Sequence, residues 1–542
     1  MEVPKMFRAQ VQGHCNLQFV PDRENREKWV KEWVDPQQTG KPYQHENLAN
    51  VKKAGLYGSV YCIPVKFPYR LFTNCGQDTI HRPALGKNGI PFVPGSSIKG
   101  LFRRVCNEEQ KQRYCGGTEK QGILRFHGAY PVGDWTGKHV VPVVEQGQTV
   151  RETRYSILDL VHPQQTRQVQ NQDGTTAIAL ISLYQPTLVF QFSSTDPTIN
   201  WEEVETLLKK ALSRGLGGKT STGYGFPDGR SKVTQLPDFS QSENSLHIPL
   251  EGSGVCSMTL TKDPEFRPNI FKASLRSYLT RLLAGVCSDR NRVNQTVERL
   301  FGSTTSEGAV KIFWEQLRVP SLNNRGKNPT YSVVGKLHIA APEDQKELIE
   351  KLMKFAYIMG GFGKSWRRVD HQKFYQWYHE NKFAIGCHWT CSDENFISIR
   401  NREDLRSFLE RLYQFYQQYL QASAADHLRN CRESWHPHRV GVYSQVVGES
   451  QAIKLFHDEI FKTTPAIGGR GPGDPRPKFV SCVWHRMLPI GGNQYLEIVT
   501  LFHGGNSGNS PGLNEWKRKG INQLPEFVQR LNSSGFALTW GS

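Results

Sequence analysis

Two stretches of this sequence share an order that restricts the possible folds: a helical pattern that runs into a glycine-rich loop containing lysine. In the first, apolar residues recur at three- and four-residue steps over residues 201–212, and the loop follows at 214–225. In the second, a helical pattern over 342–359 leads into a loop at 360–368. Glycine ends helices and lets backbone N–H groups approach an anion closely. The recurrence predicts one structural module used twice.

The first glycine loop (residues 214–225) matches only half of a nucleotide-binding P-loop. Gly218, Lys219 and Thr220 supply the end of that motif, but Ser213 occupies the place of its leading glycine. A P-loop also follows a strand and opens a helix, whereas this loop closes one. A plain helix cap would explain one or two glycines, not the five found here. The loop is therefore predicted to contact a polyanion other than a mononucleotide.

The composition favours a basic, soluble chain with a nucleic-acid partner. Its 542 residues suffice for two to four domains, and 37% hydrophobic residues exclude wholesale disorder. Lysine and arginine number 68 against 50 acidic residues, a net charge of +18 that favours nucleic acid or an acidic membrane surface as partner. No apolar run approaches the roughly 20 residues of a bilayer span, and no signal-peptide pattern is evident. The 11 scattered cysteines favour reduced thiols. We therefore expect a cytoplasmic protein without a membrane partner.

A second anion-binding pattern lies at residues 89–104. Pro91 and Pro94 keep the approach extended, and Ser96 or Ser97 is expected to cap the helix that follows. The N–H groups at a helix start bind phosphate readily. The apolar stripe of this helix leaves its basic residues for the exposed side.

The motifs of the first half occur in an order shared with a known family. An Asp-bearing loop precedes Pro-Gly-Ser-Ser-x-Lys-Gly and a basic helix; then come Gly-x-Leu-x-Phe, another helix and Gly-Gly-Lys-Thr-x-x-Gly-Tyr-Gly. This order resembles the RAMP superfamily, the Cas7-like RNA-binding backbone subunits of type III CRISPR effectors. With Asp159-Leu-Val-His-Pro163, residues 1–235 most resemble the Cmr-six member. The second half, with Gly-Gly-x-Gly-x-x-x-Arg-Arg at 360–368, more loosely resembles the Cmr-one member.

The resemblance implies an α+β fold of two tandem ferredoxin-like (RRM-like) modules with insertions. We expect a first module at 1–235, a linker at 236–247 and a second module at 248–542 that contains a helical insertion. Helices are predicted over 400–420 and 524–531, and strands over 478–483 and 495–502.

The resemblance also implies an RNA-binding structural subunit that holds the 3′ region of a guide RNA and its target duplex and caps the backbone filament. The implied partners are guide RNA, target RNA and other type III subunits, namely the backbone RAMP subunits, the small subunit and the large signalling subunit. Such contacts fix the strand without reading its sequence and need no cofactor. Each basic residue could instead be an ordinary surface charge, and an unrelated DNA-binding function remains open. The RNA-binding candidates are Ser96, Ser97, Lys99, Arg103, Arg104, Gly217, Gly218, Lys219, Thr220, Ser221, Tyr224, Lys272, Arg276, Lys364, Trp366, Arg367 and Arg368.

Asp78 carries the alternative function, metal-dependent cleavage of the guide-paired target RNA. It lies about thirteen residues before Pro91, where nucleolytic RAMP subunits carry an aspartate. A carboxylate there could hold Mg²⁺ or Mn²⁺, with His81 as a candidate for proton transfer. Against this, the two members that the chain resembles do not cut, and a loop aspartate commonly bonds its own backbone. No metal site is firm: Cys387 and Cys391 lack a second closely spaced pair and favour buried thiols.

Overall fold

The computed structural model describes residues 23–542 with gaps. The gaps are 36, 43–44, 46–47, 74–82, 87–88, 146–147, 162–177, 221–222, 228–244, 260–263, 304–305, 319, 324–327, 394, 424–425, 470, 474–480 and 505–512. The chain divides into two compact units, the first from residues 1–162, 176–243 and 258–263 and the second from residues 163–175, 244–257 and 264–542. Every helix in the described part of the chain is too short or too polar to cross a membrane.

The first unit is built on a four-stranded antiparallel sheet. The strands lie in the order Gly55–Tyr57, Val60–Lys66, Thr187–Ser194 and Leu124–Val132. Along the chain, the helix Gly95–Arg103 follows the strand Val60–Lys66, and the helix Trp201–Leu212 follows the strand Thr187–Ser194. With Leu124–Val132 before Thr187–Ser194, the chain order is strand–helix–strand–strand–helix, as in a ferredoxin-like module. The edge strand Gly55–Tyr57 precedes this order in the chain. The smaller elements are the helices Arg23–Val34, Glu108–Gln110 and Lys111–Cys115 and the strand pairs Ala84–Leu85 with Pro91–Phe92, Lys138–Glu145 with Gln148–Tyr155, and Leu158–Val161 with Ile178–Ile181.

The helix Trp201–Leu212 confirms the periodicity read from the sequence. The side chain of Asn200 caps it by accepting hydrogen bonds from the N–H groups of Glu202 and Glu203. Its buried face consists of Val204, Leu207, Leu208, Ala211 and Leu212. Burial of this stripe against the sheet fixes the point at which the first glycine loop begins.

The second unit contains a sheet with complete ferredoxin-like connectivity. Its main strands lie in the order Lys311–Gln316, Thr330–Ala340, Ser245–Val255 and Cys387–Cys391, with Ser321–Asn323 paired to the second of them. The helices are Asn269–Ala284, Arg290–Phe301 and Lys346–Met359. If the four main strands are numbered as they occur in the chain, their order across the sheet is second, third, first and fourth. The predicted ferredoxin-like fold is thus confirmed here. The strand that starts at Ser245 lies partly within the predicted linker, and the module boundaries stay a prediction.

The same unit contains a further four-stranded sheet, where the sequence predicts only an insertion. Its strands lie in the order Val483–Gly491, Gln494–Phe502, Val440–Val447 and Ala537–Gly541, again second, third, first and fourth by chain position. The helices Ala452–Phe456 and Leu524–Ser533 complete the module. The sequence predicts strands over 478–483 and 495–502 but neither Val440–Val447 nor Ala537–Gly541, and so not the sheet that the four form. Val440–Val447 is buried on both faces over its first five residues and lacks polar alternation there. The described residues therefore contain a third sheet of this kind, in addition to the sheet of the first unit and the first sheet of the second unit.

Two helices and one strand predicted from the sequence are confirmed in the second unit. The helix Arg402–Tyr419 confirms the helix predicted at 400–420, and Leu524–Ser533 confirms the one at 524–531. The strand Gln494–Phe502 confirms that at 495–502, whereas the strand predicted from 478 begins at Val483 and residues 478–480 lie outside the described residues. The remaining short elements are Ser257–Met258, Pro264–Glu265, Glu343–Gln345, His371–Phe374, Gln376–Glu380, Pro465–Ile467, Asn514–Trp516, Lys517–Arg518 and Ile521–Asn522.

Arg486 joins the two sheets of the second unit. It lies on the strand Val483–Gly491 and is fully buried. Its Nη2 donates to the carbonyl of Trp389 at 2.7 Å, and its Nε donates to the carbonyl of Tyr357 at 3.2 Å. A buried guanidinium is stabilised only if its N–H donors have hydrogen-bond acceptors. Because the acceptors of Arg486 belong to the first sheet and its helix, these hydrogen bonds hold the two sheets together.

Candidate nucleic-acid interface

The basic helix (Gly95–Arg103) begins without the serine cap expected from the sequence. Its N-cap is Pro94, whose side chain has no oxygen to cap with, and Ser97 N–H instead donates to the Pro94 carbonyl at 3.0 Å. Gly95 is tightly placed, since a β-carbon there would lie 1.9 Å from the carbonyl oxygen of Phe126. The helix therefore begins at Gly95, one residue before Ser96. Ser96 and Ser97 lie exposed in the first turn of the helix, where backbone N–H groups favour an anion.

The exposed side of this helix carries the predicted cations. Lys99, Arg103 and Arg104 are exposed, while Ile98 and Phe102 are buried. Arg103 is partly engaged already, because its Nη1 donates to the Gly116 carbonyl at 2.7 Å. The Arg104 carbonyl accepts from Arg214 Nη1 at 3.1 Å. This last bond places the end of the basic helix next to the start of the first glycine loop, so two segments far apart in the chain are neighbours in the fold.

The first glycine loop is docked onto Phe72. Gly218 N–H donates to the Phe72 carbonyl at 2.6 Å, and Gly217 has φ +78°, which favours glycine. Lys219 is exposed, has φ +60°, and holds its ammonium 4.7 Å from the centroid of the Phe72 ring. A cation–π contact of this kind orients a lysine while leaving it accessible.

Three other candidates of this loop are placed differently. Tyr224 is only 4% exposed, and its ring packs edge-on against the ring of Phe72 at 5.2 Å, so it contributes to the packing beneath the surface of the loop. This burial corrects the expectation that Tyr224 is exposed for a sugar or phosphate contact. Thr220 is half-buried, and Ser221 lies outside the described residues. The same is true of Asp78 and His81, so the catalytic candidates have no structural account.

The second glycine loop (residues 360–368) is mostly interior. Lys364 is exposed, but Trp366, Arg367 and Arg368 are 3%, 7% and 8% exposed. The ring of Trp366 packs against Tyr278 at 4.3 Å and Trp484 at 4.9 Å. Arg368 donates to the Ser481 hydroxyl at 2.8 Å. The expectation of an exposed, phosphate-binding set with a stacking tryptophan is therefore corrected: the unpredicted third sheet covers these side chains.

Lys272 and Arg276 lie one turn apart on the helix Asn269–Ala284. Lys272 is buried, and burial together with the charge of Arg276 lowers its pKa to about 8. Arg276 is half-buried and donates to the Gly302 carbonyl. Both therefore have roles inside the second unit.

Sequence reasoning missed a buried ion cluster around Glu433. Its carboxylate accepts from Arg281 Nε at 2.6 Å, from Arg432 at 2.8 Å and from Arg367 at 3.2 Å. Burial alone would raise the pKa of Glu433, but the charges of the three arginines hold it well below its usual value. The only hint in the sequence is an arginine, Arg281, amid the apolar residues of a helix.

Neither predicted thiol shows the features of a metal ligand. Cys387 is a buried free thiol whose pKa burial raises to about 12, and Cys391 is a half-buried free thiol whose pKa burial also raises. Across the described ranges, no group of three or more His, Cys, Asp or Glu side chains could hold a metal ion.

A comparison with protein families finds a match within the first unit. The model of the RAMP superfamily matches the segment that contains the basic helix and the first glycine loop. Residues 69–227 match the RAMP superfamily. The resemblance of this segment, first stated from its motifs, is thus confirmed. No curated protein matches the chain.

Solved structures that match parts of the chain include two proteins from Pyrococcus furiosus. Apo Cmr1 is 16% identical over 55% of this chain and 99% of its own, with a TM-score of 0.34. Cmr6 is 18% identical over 31% and 98%, with a TM-score of 0.20. A chain of the Type III-B Cmr-beta complex bound to cognate target RNA is 17% identical over 41% and 70%, with a TM-score of 0.22. At such identities and TM-scores these likenesses carry no functional argument.

Proposed function

We propose that this chain is an RNA-binding structural subunit of a cytoplasmic type III CRISPR ribonucleoprotein. It holds the 3′ region of the guide RNA and its target duplex, and caps the backbone filament beside the other effector subunits. The observation that carries the proposal is the joined surface of the basic helix and the first glycine loop, which lies within the segment that matches the RAMP superfamily. The comparisons supply the family of that segment; the role in an assembly is our inference.

The chemistry of this surface suits a sugar–phosphate backbone. It presents a helix start, two exposed hydroxyls and the exposed ammonium groups of Lys99 and Lys219. Helix N-termini and lysines bind phosphate without regard to base identity, and contacts of this kind set the register of a strand. The net charge of +18 raises the local concentration of RNA around the whole chain. Binding requires no cofactor.

Lys219→Ala is expected to weaken binding of single-stranded RNA and to flatten its salt dependence. Loss of one phosphate contact lowers the slope of log affinity against log salt by about 0.7, with an affinity loss of roughly three- to tenfold at low salt. Fluorescence anisotropy with a labelled single-stranded RNA across a salt series measures both quantities.

Lys52→Ala is the matched control, because Lys52 is also an exposed lysine of the first unit and lies outside the proposed surface. It should leave the slope unchanged. Equal effects of the two variants would reduce Lys219 to a general surface charge. If the wild-type chain binds no RNA and co-purifies with none of defined length, the proposed function is wrong.

Asp78→Ala is expected to leave target-RNA cutting unchanged when the variant is assembled into the complex. A structural subunit does not supply the nucleophile or metal ligand of a cut. Mapping of cleavage products with Mg²⁺ or Mn²⁺ present measures this. Loss of one cut with RNA binding intact would instead favour the alternative, an endoribonuclease subunit that holds a divalent metal through Asp78.

A further inference from the structure

Trp377 is a large aromatic side chain left open to solvent in the second unit. It is 54% exposed, whereas Trp366, Trp389 and Trp435 of the same unit are at most 3% exposed. Tryptophan is highly buried on average, because its ring removes more apolar area from water than any other side chain. An open indole ring on a well-packed unit therefore requires an explanation.

The ring of Trp377 stands on a rigid base. Its residue lies in the helix Gln376–Glu380, and Asn381 donates both its backbone N–H (3.0 Å) and its side-chain amide (2.8 Å) to the Trp377 carbonyl. The neighbouring Tyr378 is buried and meets the indole at 5.1 Å with an interplanar angle of 71°. The rings of Phe383 and His371 pack against Tyr378 in turn, at 5.4 Å and 5.2 Å. One side of the indole is thus supported while the rest is open.

Two exposed lysines flank Trp377 in the sequence. Lys373 lies four residues before Trp377 and Lys382 five residues after it, and both are exposed. The nearby carboxylate of Glu380 accepts from the side-chain amide of Gln376 at 2.8 Å. A tryptophan that anchors a protein interface usually lies in an apolar patch that excludes water. An exposed aromatic ring on a segment that also carries exposed lysines instead has the combination that single-stranded nucleic acid uses, with a base on the ring and phosphates on the cations.

We propose that Trp377 is a base-stacking platform for single-stranded RNA, with Lys373 and Lys382 contacting the flanking phosphates. The inference rests on the proposed function and deepens it by assigning a contact to the second unit. Trp377 takes the stacking role that the sequence assigns to the buried Trp366. Stacking accepts any base, so the platform holds a strand without selecting its sequence.

The test compares Trp377→Ala, Trp377→Phe and the neighbouring control Gln376→Ala in the full-length protein, with a labelled single-stranded RNA as probe. Removal of one stacked base is expected to weaken binding by about 5- to 160-fold. The phenylalanine variant should retain most of the affinity, and the control should match wild type. The salt slope should not change for Trp377→Ala, because stacking releases no counterions. Thermal unfolding should show no change, since the side chain is mostly exposed.

The outcomes separate this inference from the function on which it rests. If wild type binds RNA and Trp377→Ala binds equally well, the platform is wrong and the proposed function stands. If Trp377→Ala keeps its RNA affinity but no longer assembles with other effector subunits, the ring is a protein contact and the inference is overturned. If wild type binds no RNA, both fail. An affinity loss in Trp377→Ala that Trp377→Phe restores supports the inference.

Discussion

Glu433→Ala is expected to destabilise the second unit by about 3–5 kcal/mol, the usual cost of removing one partner from a buried ion pair. The change would leave Arg281 and Arg367 without their carboxylate partner, and Arg281 is fully buried; Arg432 would keep only the more distant carboxylate of Glu515, at 4.0 Å. The desolvation free energy of each buried guanidinium would then no longer be offset by a hydrogen bond to the Glu433 carboxylate. Urea denaturation of the full-length variant, followed by tryptophan fluorescence, measures the loss.

Glu459→Ala is the matched control, because Glu459 pairs with Lys462 on the surface, where its side chain is 84% exposed. Surface pairs of this kind contribute roughly 0–1 kcal/mol. A loss for Glu433→Ala no larger than that of the control would contradict the importance of the cluster. The pKa of Glu433 is lowered, so its contribution is fully present above the usual pKa of a glutamate and is lost as pH falls through the lowered value.

Gly217→Ala should destabilise the first unit by about 2–3 kcal/mol through backbone strain and lower its RNA affinity together with its stability. The residue has φ +78°, and an added β-carbon would lie 2.2 Å from the Phe72 carbonyl oxygen. That contact cannot form without moving the backbone that holds the loop. The movement would also displace Lys219, so RNA affinity should fall at least as far as in Lys219→Ala. Thermal unfolding and the anisotropy assay measure the two effects.

Gly218→Ala is the matched control, because it replaces the neighbouring glycine without a steric clash of its β-carbon with the Phe72 carbonyl. Its β-carbon would lie 3.6 Å from the same oxygen, an ordinary contact. The cost should stay below about 1 kcal/mol, as for a surface substitution without a named defect, and RNA affinity should change little. Equal losses for the two alanine variants would show that the docking on Phe72 does not set the loop geometry.

Local patterns predicted the parts of this fold that depend on neighbouring residues. The helix Trp201–Leu212 was evident because its apolar residues follow a helical period and end at a glycine. The third sheet was only partly evident: its strand Gln494–Phe502 was predicted, whereas Val440–Val447, buried on both faces over its first five residues, gives no alternation there. Their burial depends on elements distant in the chain, which a local pattern does not contain.

In the candidate interface, too, features set by neighbouring residues could be predicted, and features set by distant residues could not. The exposure of Lys99 and Lys219 could be predicted from the sequence because the motif around each sets its backbone conformation. Arg367 could not be distinguished from them, since its fate depends on Glu433, 66 residues away. Trp366 and Trp377 both lie among basic residues in the sequence, and only the packing of the third sheet shows which ring is open.

Arg486 has a consequence for the order in which the second unit can form. Its acceptors, the carbonyls of Tyr357 and Trp389, precede it by 129 and 97 residues in the chain. Contacts between such distant residues carry a large loop-closure cost and slow the folding of a domain. During synthesis, the helix and strand that contain these carbonyls leave the ribosome well before their arginine does. The second unit is therefore expected to stay incomplete, with apolar surface open to chaperones, until the strand Val483–Gly491 has emerged.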